Sequence, residues 1–162
     1  QESIRVNSDH DKDSTGFIDS SVQEKDVTFP TDTKLTKGVI KRCQKESGKL
    51  DLPVRQSYKR VLKDLYRDQR FRNHPKNKKK ALRADKKVKT IAGRLLRELE
   101  RNLAARGLHD GYAREIELWW RVLARQKNDR DKEYSLHEPE VLCIGRGKEH
   151  KKYEMRSIHE YL

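Results

Sequence analysis

"HPKNKKKALRADKKVKTIAGRLLRELERNLAARG", residues 74–107, changes character half-way along. Its first half carries eight Lys or Arg between positions 76 and 89 against one acid, Asp85. Like charges on neighbouring turns repel, which weakens an isolated helix by about 0.2–0.5 kcal/mol per pair. From Val88 onward the pattern is plainly helical: Val88, Ile91, Leu95, Leu99 and Leu103 recur every three or four residues, and Gly107 closes the run. The spacing predicts a firm helix over about 88–106, led in by a basic run of weaker helical character.

The basic run sets the charge of the whole chain. Of 162 residues, 40% are charged and 33% hydrophobic, with a net charge of +13, a thin apolar supply for a compact core. Residues 1–33 hold 3 basic and 8 acidic side chains, residues 34–106 hold 25 and 7, and residues 107–162 hold 11 and 11. The excess therefore sits in the middle, and a local cationic field of this size favours a polyanion, most commonly nucleic acid. A polybasic membrane contact is disfavoured, because no helix pairs a basic face with an exposed apolar one. There is no run of about 18 apolar residues and no signal-peptide pattern, so a cytoplasmic chain without membrane contact is the expectation. The opening Gln1 and the closing "SIHEYL" suggest a piece of a longer protein.

Outward from the central helix, further helices are predicted. Asp32 is placed to cap the first, with Leu35, Val39 and Cys43 as a narrow stripe and Gly48 as its stop. Asp51 and Pro53 mark a second start, with Val54, Tyr58, Val61, Leu62 and Leu65 as its buried face. Asp110 is placed to cap a last helix bearing Tyr112, Ile116, Trp119, Trp120 and Leu123. On either side the period turns toward two. Phe17, Ile18, Val22, Val27 and Phe29 suggest a strand, a turn and a second extended piece ending at Pro30; residues 141–144 and the neighbourhood of Tyr153 suggest further strands.

Asp19 lies directly behind Phe17 and Ile18. It reads either as a solvated carboxylate at a strand end or as a hard-oxygen ligand for Mg²⁺. Two such ions, held by several carboxylates, drive phosphodiester displacement, and one aspartate cannot hold them alone.

"FIDSSVQEKDVTFPTDTKL", followed by helices and then by "KEYSLHEPEVLCIGRGKEHKKYE", resembles the central part of bacterial insertion-sequence transposases of the DDE class, of the insertion-sequence five type. The likeness covers about residues 15–154; its two end blocks are specific, and the helical middle matches in character and spacing. It implies an α/β fold with an incomplete ribonuclease H-like core and a large, basic, all-helical insertion. The expected plan is a polar lead-in over 1–14, the first core strands over 15–30, the helical insertion over 31–130 and further core strands over 131–162. By the resemblance Asp19 is the first catalytic acid and a ligand for Mg²⁺ or Mn²⁺. The family's second Asp and final Glu follow a Tyr-Glu-Phe-Gly-like strand, where this chain reads "YEMRSIHEYL" and departs from Met155. Glu138, Glu140 and Glu154 stand at the wrong spacing to replace them. The implied activity of the complete family enzyme is cleavage at element ends and joining of the 3′-hydroxyl to target DNA, with a homo-oligomer allowed; this chain alone is expected to be inactive.

The candidate DNA-binding residues are Lys76, Lys78, Lys79, Lys80, Arg83, Lys86, Lys87, Lys89, Arg94, Arg97 and Arg101. They read either as a solvated face or as phosphate contacts; the second reading alone, without catalysis, would make the chain a basic helical nucleic-acid-binding module. Lys148, Lys151 and Lys152 are weaker candidates for the same role. Trp119 and Trp120 fit a core or interhelical position, with base stacking as the alternative. Cys43 and Cys143 read as reduced thiols, and the spacing of His137, Cys143 and His150 matches no zinc signature.

Overall fold

The computed structural model describes residues 31–126, 129, 132–137, 139, 141–145 and 153–157. Four helices come first: α1 (Asp32–Lys49), α2 (Lys59–Arg70), α3 (Pro75–Ala105) and α4 (His109–Ala124). β1 (Val141–Gly145) and β2 (Tyr153–Ser157) then pair antiparallel, with Val141 opposite Ser157 and Gly145 opposite Tyr153. The expected strand over 15–30, Asp19, Lys148, Lys151, Lys152, His150, Glu138 and Glu140 lie outside the described residues.

The cap of α1 is Thr31 rather than Asp32. Its hydroxyl oxygen accepts the Lys34 N–H at 3.2 Å, satisfying one of the free amides of the first turn. Asp32 stands one residue inside, where its charge favours the helix N-terminus, and its carboxylate meets Arg125 at 3.0 Å beyond the end of α4. α1 also runs through Gly48 to Lys49, and its buried face is wider than the expected stripe, adding Thr36, Ile40 and Ser47.

The second helix starts later than expected. Asp51 (φ 48°) and Tyr58 (φ 53°) both take left-handed backbone, which a continuing α-helix does not allow, so residues 51–58 are irregular and α2 begins at Lys59. Val54 and Val61 are consequently 42% and 46% exposed instead of buried, and Leu52 enters the core in their stead.

α3 starts at Pro75, well before Val88. Pro75 sits at the helix start, where the missing N–H costs nothing. The inward row reaches back through Ala81 and Ala84, which are 1% and 2% exposed, so the basic run shares the buried face of the later turns. The far end is a Schellman motif: Gly107 (φ +67°) turns the chain, its N–H donates to Ala104 O at 3.0 Å, and the Leu108 N–H donates to Leu103 O at 2.9 Å. α4 follows at once, with Leu108 as its cap residue and Asp110 inside the first turn.

α3 is the axis of the molecule, with α1, α2 and α4 all packed on it. Leu96, Leu99 and Leu103 of α3, Val39 and Ile40 of α1 and Trp119 of α4 lie in one core, each no more than 2% exposed. Cys43 is buried there, and burial pushes its thiol up to about 12; Cys143 is half-buried, and both cysteines are free.

These findings correct the expected fold. Among the described residues the body is helical, and the strands form a two-stranded antiparallel ribbon rather than part of a ribonuclease H-like α/β core. The physical reason is where the apolar side chains go. Those spaced at three and four residues close on one another across four helices and form a single core, so the helices need no sheet to pack against. Leu99→Ala should destabilise the protein by about 2–5 kcal/mol in urea unfolding, through lost burial and a residual cavity. Leu82→Ala, at a position 53% exposed on the same helix, should change stability by less than about 0.5 kcal/mol.

Candidate nucleic-acid interface

Eleven Lys and Arg and three acids lie on α3. The helix repeat sorts them. Lys76, Lys79, Arg83, Lys87, Arg94, Arg97 and Arg101 follow one another at steps of three, four or seven, so they share one line along the helix. That line lies opposite the buried row of Ala81, Ala84, Val88, Leu95, Leu99 and Leu103, and all seven cations are exposed. At 1.5 Å per residue it extends for about 38 Å, close to one turn of B-form DNA at about 34–36 Å. Lys78, Lys80, Lys86 and Lys89 flank it and are exposed as well.

Among the described residues, the cations of this face are largely unanswered. Lys80 pairs with Asp68 at 2.8 Å, Lys89 donates to Arg125 O at 3.2 Å, and the Arg97 guanidinium stands 5.8 Å from the centre of the Trp120 ring. Among the described residues, Lys76, Lys78, Lys79, Arg83, Lys86, Lys87, Arg94 and Arg101 have no side-chain hydrogen bond or ion pair.

The three acids of α3 are all engaged. Asp85 is the hub: Arg72 Nη2 reaches both its oxygens at 2.8 Å, Gln69 Nε2 donates to Oδ1 at 2.6 Å, and the Thr33 hydroxyl donates at 3.4 Å. This joins α1, α2, the α2–α3 turn and α3 at one carboxylate. Beside it the Lys37 ammonium lies 4.4 Å over the Tyr66 ring, and burial, then the Arg72 guanidinium, holds its pKa below the usual lysine range. Glu98 accepts the Arg55 N–H at 2.7 Å, and Glu100 accepts the Trp120 indole N–H at 3.3 Å, with His109 3.8 Å away. The negative charge of α3 is thus tied into the fold, while its positive charge faces solvent.

Arg55 was not among the sequence candidates. It reaches this face because Glu98 holds its backbone N–H, across 43 residues of chain, and it lines a cleft of about 420 Å³ with Gln56, Tyr58, Arg94, Arg97 and Arg101. A larger cleft of about 1000 Å³ lies between α1, α4 and residues 134–137; Lys41 and Lys45 line it, but so do Glu46 and Glu115, and Tyr112 O–H donates to Glu46 at 3.2 Å. Its charge is mixed, unlike that of the α3 face. Trp119 is buried in the core and Trp120 half-buried against it.

For a Mg²⁺ or Mn²⁺ site, the described residues gather no group of three or more His, Cys, Asp or Glu side chains. Asp19 lies outside them. No helix among the described residues is long and apolar enough to cross a membrane. Comparison with protein-family models, with curated proteins and with solved structures finds no match to this chain.

Asp85→Asn removes the charge that three elements share, and urea unfolding should show a loss of about 1–2 kcal/mol, discounted for the part-exposed Arg72 partner. Lys87→Gln on the open face should leave stability within about 0.5 kcal/mol.

Proposed function

We propose that this chain binds DNA through backbone phosphates laid along the outward face of α3, as the DNA-holding helical part of an insertion-sequence transposase. One observation carries the first half of this reading: a line of exposed cations about 38 Å long whose members, with few exceptions, have no acid of their own among the described residues. A polyanion of similar repeat is the complement of such a line, and binding releases the counterions that each phosphate had condensed. The end blocks "FIDSSVQEKDV" and "YSLHEPEV", with their likeness to insertion-sequence transposases, support the second half.

The helical body holds DNA and performs no chemistry on it. Lys and Arg side chains meet phosphate oxygens, fix the orientation of the duplex and read no bases. A transposase needs such contacts at element ends and at target DNA, in the nucleoid of a bacterial cytoplasm.

The test is a titration of a labelled duplex by fluorescence anisotropy at several salt concentrations. With six or more phosphates engaged, log K against log salt should fall with a slope of about −5 or steeper. The triple variant Lys79→Gln, Arg83→Gln, Lys87→Gln should bind more weakly on every duplex, with the slope reduced by about 1 per cation removed. A flat salt response, or a triple variant that binds like the parent, would overturn the proposal.

A further inference from the structure

The cations of α3 are divided by type along its length. Up to Lys89 they are lysines with one exception, Arg83; beyond it they are arginines alone, Arg94, Arg97 and Arg101. The two side chains differ in what they do to a phosphate. Lysine offers a hydrated point charge on a flexible stem, whereas the planar guanidinium grips two oxygens at once in a set direction.

The arginine half also has a shape that the lysine half lacks. Arg94, Arg97 and Arg101 stand on successive turns, and Arg55 faces them from the irregular segment after α1. Together they line the cleft of about 420 Å³, in which Glu98 is the acid. One oxygen of Glu98 is already occupied by the Arg55 N–H at 2.7 Å, a bond that fixes the backbone from which Arg55 projects. Arg97 is steadied from the other side, with its guanidinium 5.8 Å from the Trp120 ring, and Trp120 is itself held by its indole N–H on Glu100 at 3.3 Å. Four arginines against one carboxylate leave this concavity with an excess of positive charge that an anion would complement.

We propose that the cleft of Arg55, Arg94, Arg97 and Arg101 is a directional anchor for a phosphate group of a nucleic-acid strand, which sets the register of the strand, while the lysine half supplies sequence-independent, salt-sensitive attraction. The inference rests on the DNA-binding reading given above and adds a specific site to it. The phosphate belongs either to the interior of a strand or to a strand end.

A charge-preserving exchange separates this anchor from simple attraction. In the full chain, Arg94→Lys with Arg101→Lys keeps every charge and removes the forks, and Arg55→Lys does the same from off the helix. Both should bind duplex DNA about tenfold more weakly, with the slope against log salt unchanged. The reciprocal variant, Lys79→Arg with Lys87→Arg, should bind within about twofold of the parent. Circular dichroism of each variant should match the parent, since all of these side chains are exposed. Two probes tell the sources apart. Loss on a closed circular duplex as well as on a linear one marks an interior phosphate, and loss only on linear duplex with 5′-phosphates marks a strand end. Arginine-to-lysine variants that bind like the parent on both probes would refute the anchor while leaving the DNA-binding reading intact. A parent protein that binds neither probe would instead sink that reading.

Discussion

Everything in this molecule depends on α3 staying helical through a run of like charges. Adjacent cations on its outer line oppose the helix by about 0.2–0.5 kcal/mol a pair. A single large apolar side chain taken out of water contributes about 1.5–3 kcal/mol in the other direction. α3 buries Val88, Ile91, Leu95, Leu96, Leu99 and Leu103, with Ala81, Ala84 and Ala92 letting neighbours approach closely. Burial therefore outweighs repulsion by a wide margin. The outcome is a continuous helical carrier for charges that a peptide of the same sequence would hold poorly.

The second part of the device is the disposal of the acids. A basic helix can be stabilised by surrounding it with carboxylates, and that would silence its field. Here Asp85 fastens α1, α2 and the intervening turn to α3, Glu98 fastens the 51–58 segment, and Glu100 fastens α4 through Trp120. Each carboxylate joins elements on the flanks of α3, and the outer line is left unneutralised among the described residues. A solvated charged face needs no such arrangement, and the distinction bears on function, because an unneutralised field is what steers and holds a polyanion.

The sequence was most legible where a period was long and unbroken. Val88 to Leu103 marks the second half of α3 and its stop at Gly107, and the apolar spacing places α1 and α4, with the cap one residue off in α1 and two residues off in α4. The beginning of α3 was harder to see, since repulsion in the basic run argues against an isolated helix and the contacts that overcome it, Lys80 with Asp68 and Arg72 with Asp85, are tertiary. A signal was present: Ala81 and Ala84 continue the inward spacing of Val88 and Leu95. Arg55 had no local signal, because its position depends on a hydrogen bond to Glu98 far along the chain. The ribonuclease H-like expectation failed for a related reason. It was carried by motifs at the two ends, whereas the apolar residues that decide the fold of the described residues lie in the helices between them.

The cations of α3 repel one another in the folded protein, and among the described residues few of them meet an acid. The most direct measurement is the urea midpoint as a function of sodium chloride, from about 0.05 M to about 0.5 M, over which the Debye length shrinks severalfold. Screened repulsion predicts that the midpoint rises steadily as salt is added, with most of the rise at the low end. A midpoint that falls with salt would mean that the same cations are held in attractive pairs within the fold, and would contradict the account.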